Sequence, residues 1–69
     1  MIHNDHELEV TQQRIAYFQR VLAQLRVTAR REEFSLLASG YRAEIGRMQD
    51  EVMQYLTRHA SEPASVESG

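Results

Sequence analysis

From Leu8 onward, apolar side chains recur at alternating steps of three and four through Ile15, Phe18, Leu22 and Leu25, and only Thr11 interrupts them. That spacing keeps a stripe on one side of an α-helix, as in helices that pack lengthwise on a partner. A second series runs Phe34, Ala38, Tyr41, Ile45, Met48, Val52, Tyr55 and His59, with Leu37 and Leu56 widening the stripe as globular bundles require. The two series are out of phase. Extending the first by sevens from Leu22 reaches Ala29, Leu36 and Ala43, whereas the second has its equivalents at Ala38 and Ile45, an offset of two residues. Continuous coiled coils absorb insertions equivalent to three or four residues, so an offset of two predicts a break. The polar interval for it is "RVTARREE", residues 26–33, with Thr28 as a candidate cap for the helix that follows, although neither glycine nor proline marks the turn.

Asn4 followed by Glu7 reads as a capping-box-like start, and Asp5 and Glu7 in the first turn complement the helix dipole. Thr11 is a competing start, with residues 2–10 then partly extended. At the far end "ASEPASVESG" is small, polar and broken by Pro63, so the second helix should stop near His59 or Ala60 and residues 61–69 should form a disordered tail. Helices over about 5–26 and 33–59 would be roughly 33 and 40 Å long at 1.5 Å per residue. Similar lengths joined by a short turn predict an all-α fold, an antiparallel two-helix hairpin spanning residues 1–60.

Composition adds a constraint. A chain of 69 residues buries only about 60% of the surface its unfolded form exposes. There is no cysteine, which removes disulfides, zinc ribbons and thiol catalysis together. Two facing helices also leave Val10, Val21, Leu37 and Leu56 at the edges of the seam. The expected remedy is a homodimer, two hairpins forming a four-helix bundle with an isologous interface. Helix-in-groove binding to a different protein would cover the same surface. Within the seam, Ile15, Phe18, Leu22, Leu25, Phe34, Tyr41, Ile45, Met48, Val52 and Tyr55 are the packing residues, and Leu37 and Leu56 the dimer contacts.

Gly40 and Gly46 interrupt an otherwise regular helical pattern, where each costs roughly 0.5–1 kcal/mol relative to alanine. Ser39, Ala43, Gly46 and Asp50 flank the main stripe with short side chains, a geometry that lets another helix backbone approach closely. Gly40 lies either inside the second helix or near its start, with Ser35 or Ser39 then as N-cap.

The remaining candidates for chemistry are sparse. His3 and His6 with Glu7 or Glu9 have helical spacing but lack a Glu-x-x-His motif within a core helix, and no metal or cofactor is expected. The serines have no nucleophile-elbow context. Glu44, Arg47, Asp50 and Glu51 alternate in sign and read as solvated i, i+3 and i, i+4 pairs. Arg26, Arg30 and Arg31 form the one basic cluster, but Glu32 and Glu33 follow at once and the formal net charge is −2, which argues against a nucleic-acid backbone as partner. The start "MIHNDHELEV" does not read as a signal peptide, and no apolar run approaches the roughly 18 residues of a membrane span; a cytoplasmic location without membrane contact is expected.

The stretches "IHNDHELEVTQQRIAYFQ" and "ASGYRAEIGRMQDEVMQYL" resemble a family of small bacterial helical-hairpin proteins, and also the N-terminal helical segment of helix-turn-helix antitoxins of the host-inhibition-of-growth class. In such antitoxins DNA binding belongs to a following helix-turn-helix domain, which these residues do not include. The resemblance therefore implies a helical interaction module acting beside a toxin or a regulator. It transfers no functional residue, because the matching positions are packing positions. Together these readings predict a non-enzymatic module for self-association and protein interaction, with an antitoxin-like accessory protein as the alternative.

Overall fold

A computed structural model describes residues 1–58, and within them the chain forms two helices, α1 (Asp5–Thr28) and α2 (Arg31–Leu56). They pack antiparallel against each other: the Tyr55 hydroxyl near the end of α2 donates to Asp5 Oδ1 at the start of α1 (2.5 Å), and the Phe18 and Tyr41 rings meet at midlength with centroids 5.6 Å apart. The expected hairpin is thus the observed architecture. The tail expected at residues 61–69, and His59, lie outside the described residues. Among the described residues no helix is long and apolar enough to cross a membrane.

The start of α1 is at Asp5, not Thr11. Asn4 is extended (φ −156°, ψ 173°) and its side chain accepts the Glu7 N–H at 2.8 Å, while Glu7 Oε1 accepts the His3 N–H at 2.8 Å. This is a capping box displaced by one residue, because the glutamate satisfies the amide before the cap instead of the cap's own. Thr11, inside the helix, donates its hydroxyl back to the Glu7 carbonyl at 2.8 Å.

The turn is shorter than the polar interval that contains it. Ala29 (φ −86°, ψ 154°) and Arg30 (φ −70°, ψ 154°) are extended, and helix resumes at Arg31. Both corner residues occupy backbone space open to any L-residue, which is why no glycine or proline was needed. The expected cap at Thr28 is incorrect: it is the last residue of α1, and its hydroxyl donates to the Gln24 carbonyl at 3.0 Å. Arg30 occupies the N-cap of α2 and makes no side-chain cap bond; Glu32 and Glu33 in the first turn still complement the dipole. Helix α2 closes at Leu56, short of His59, with the Thr57 N–H bonded to the Met53 carbonyl at 3.0 Å. Gly40 and Gly46 both lie inside α2, so neither Ser35 nor Ser39 is an N-cap.

Every member of the two series stepping by three and four within the described residues is at least partly buried, whereas Leu37 and Leu56, which widen the second, are exposed. Ile15, Ile45, Met48 and Val52 form the buried core, with Leu8, Phe18, Leu22 and Tyr55 packed against it. Leu25, Phe34, Ala38 and Tyr41 are half-buried. The sequence reading missed one core residue, Ile2, which is only 4% exposed. It precedes the cap by two residues, folds back over the hairpin beside Thr11, Met48 and Glu51, and closes one side of the seam. An apolar residue just ahead of a helix cap commonly packs on the first helical turns as a hydrophobic staple, and that was the available signal.

Candidate functional site

The hairpin has two broad faces, and they differ in what covers the seam. On the first, here the clip face, residues 1–4 lie across the terminal half, with Ile2 as the apolar plug. A charged network borders it. Arg47 donates to Glu51 at 2.9 Å and also to Glu44, one turn earlier, and the Met1 ammonium lies 3.8 Å from Glu51. The hydrogen bond from Arg47, helped by the Arg47 and Arg14 charges, holds the Glu44 carboxyl below the usual carboxylate range, and the same contact raises Arg47 further. Nearer the turn the clip face is mostly apolar: Phe18, Leu37, Gly40 and Tyr41 surround a shallow depression that Leu36 and the charged Glu44 border. Tyr17 stacks at a tilt on Phe18, with centroids 5.7 Å apart.

The other face, here the open face, carries a groove along the junction of the helices. In the terminal half its walls are Gln12, Ala16, Gln49 and Met53 over a floor of Ile15 and Val52. Toward the turn it continues between Ala23 and Arg26 on α1 and Arg42 and Gly46 on α2, over Leu22, Phe34, Ala38 and Ile45. Gln19 and Gln49 border both stretches, so the groove is continuous along most of the hairpin. Among the described residues, none from outside the two helices lines it.

The two faces arise from the same heptad arithmetic as the core. On α1, Gln12, Ala16, Gln19, Ala23 and Arg26 alternate by four and three just beside the Ile15 and Leu22 stripe, and on α2, Arg42, Gly46, Gln49, Met53 and Leu56 do the same beside Ile45 and Val52. Positions seven apart return to the same side of a helix. The sequence therefore contains a second, largely uncharged stripe on each helix.

The residues expected at an interface separate between these faces. Leu37 (45% exposed) borders the clip-face depression, whereas Gly46 and Met53 line the groove. Leu56 (54% exposed) sits one heptad on from Gln49, on the groove side. Leu37 and Leu56 are 19 residues apart, about 100° on a helix with 3.6 residues per turn. One flat contact does not use both equally.

Neither glycine is required by the hairpin itself. A Cβ placed at Gly40 or Gly46 would meet nothing within 4 Å, and among the described residues none has positive φ. Within this chain both positions have room for alanine.

The titratable groups do not converge on a reactive centre. Among the described residues no three of His, Asp and Glu are grouped so that they could hold a metal ion. Arg30 beside the turn lies 3.6 Å from Glu33, so part of the basic cluster is balanced within its own helix. The Tyr55 hydroxyl is pushed above its usual pKa because it donates to Asp5, with desolvation and the Asp5 and Glu7 charges acting in the same direction. That bond ties the helix ends. No protein-family model, curated protein or solved structure matches the chain.

Proposed function

We propose that this chain is a non-enzymatic helical module that works by protein association, in the first instance with its own copy. The observation that carries the reading is the continuous groove on the open face, whose floor is the side of the hydrophobic seam that residues 1–4 leave uncovered. A stripe of this length gains from burial at about 25 cal/mol per Å² of apolar surface, and among the described residues no third element lies over it. The glycines add support, because each costs helix stability that the isolated hairpin does not recover. Light-scattering mass across a dilution series tests the reading: the dimer mass is expected at high concentration, and the monomer mass at every concentration would overturn it.

A second reading is favoured by the depression on the clip face. Tyr17 and Leu36 are 58% and 78% exposed beside Phe18, Leu37 and Tyr41, and aromatic residues are enriched where proteins meet. An antitoxin-like or regulatory accessory role, in which this patch binds a toxin or a transcription regulator, agrees with that chemistry and with the resemblance of the two helical stretches to antitoxin segments. Purification from the native host should then recover a stoichiometric partner that Tyr17→Glu releases. Recovery of the homomer alone counts against it.

A further inference from the structure

We propose that the occupant of the open groove is a second copy of this chain, packed groove to groove about a twofold axis perpendicular to the helices, so that the two turns lie at opposite ends of the bundle. The proposal rests on the self-association reading and assigns its face and its orientation.

The choice of face follows from what each would have to desolvate. The terminal half of the clip face is already covered by Ile2 and bordered by Glu44, Arg47 and Glu51, and burying such charges against a copy costs more than it returns. Apart from Arg26 and Arg42, the groove presents Gln12, Ala16, Gln19, Ala23 and Gln49 as its polar and small wall residues. These carry no charge, and the amides can donate and accept across a twofold axis.

The orientation follows from charge. The turn half of the described hairpin, residues 15–44, has five arginines against Glu32, Glu33 and Glu44. The terminal half, residues 1–14 and 45–58, has three arginines against Asp5, Glu7, Glu9, Asp50 and Glu51. Side-chain charges are thus +2 at the turn end and −2 at the terminal end. An axis parallel to the helices would set like halves together, whereas a perpendicular axis sets each positive half on a negative one.

The details of the groove agree with that choice. Arg26 lines it toward the turn, and Arg42 lines its α2 wall near midlength. With the axis passing between Ala16 and Gln19 on α1, Arg26 of each chain falls opposite the partner's Glu9, and Gln12 opposite the partner's Ala23. The same alignment carries Met53 and Leu56, both more than half exposed in the hairpin, toward the partner's groove near Phe34 and Leu22. Those are seam positions that the single hairpin covers only partly.

The test combines three variants, with sedimentation velocity for mass and circular dichroism for folding. Gln19 is exposed, so Gln19→Arg should leave helicity intact while weakening the dimer more than about 100-fold, since an unpaired charge at an interface centre is among the costliest substitutions. Arg26→Glu and Glu9→Arg should each weaken it about tenfold at low salt, two symmetric rim pairs being lost at once, and their combination should restore most of the affinity. A wild-type dimer that Gln19→Arg leaves unchanged overturns the groove assignment while self-association stands. Loss of the dimer with Gln19→Arg but no rescue by the charge exchange overturns the orientation. A wild-type monomer overturns the self-association reading and this proposal together, and a monomer that retains a different protein through Gln19 assigns the groove to that protein instead.

Discussion

The two ends of this hairpin are built from the same heptad stripe and reach different states of completion. At the terminal end, Ile2, Met48 and Val52 are buried, the first turn of α1 is capped on both sides by Asn4 and Glu7, and Tyr55 is bonded to Asp5. At the turn end, Phe34, Leu25 and Leu22 are only partly buried, Val27 and Leu36 are 74% and 78% exposed, and Arg30 caps α2 without a side-chain bond. The difference is made by four residues ahead of α1. Two helices crossing lengthwise bury a line of contact, not a core, and a third piece of chain is needed to enclose it. The terminal end supplies that piece from its own sequence. The turn end does not.

The largest expected contrast between the ends is in core truncation. Met48→Ala, at a 3% exposed site, should destabilise the chain by about 3 kcal/mol in chemical denaturation, whereas Leu36→Ala should stay within about 0.5 kcal/mol. Equal losses would mean that the turn end is enclosed as well as the terminal end. Next in size is the clip. Ile2→Ala should cost about 2 kcal/mol through lost burial, although Ile2 lies outside both helices; an unchanged denaturation midpoint would show that the terminal end needs no third element.

Asn4→Ala should cost about 1 kcal/mol as a lost N-cap, and its effect on amide exchange should be confined to the first turn of α1. Gly46→Ala runs in the opposite direction. With nothing within 4 Å of the new Cβ, it should raise the thermal midpoint by the equivalent of about 0.5–1 kcal/mol. Gly46→Leu should fold equally well and associate less, which separates groove from helix.

The smallest effect concerns pH. The Tyr55 hydroxyl is raised above its usual pKa chiefly by donating to Asp5, so its contribution to stability is complete below the ordinary tyrosine range and is lost as pH rises through the raised value. Wild-type protein should therefore lose more stability than Tyr55→Phe between neutral and strongly alkaline pH. Parallel curves for the two proteins would remove Tyr55 from the list of what holds the terminal end.

Much of this was legible in the sequence because helical periodicity is a local property. The offset between the series through Leu22 and Ile45 placed the break, and Asn4 with Glu7 placed the start. The corner at Ala29 and Arg30 was less visible, since extended backbone leaves no mark of the kind that glycine or proline leaves. The groove was missed as a feature. Its residues are glutamines, alanines and a methionine that hydropathy ranks below the main stripe, and only the helix pairing shows that Gln19 and Gln49 face a common trough.

By itself, then, the sequence determined the two helices, their seam and their antiparallel return, because spacing by three and four acts within one helix and a short connection leaves little choice of direction. Only the tertiary structure decided that Ile2 completes one face and that no other described residue covers the second. The reason is physical: which side of a helical pair a short terminal segment covers depends on contacts between residues such as Ile2 and Met48, nearly fifty positions apart, and no local pattern encodes them.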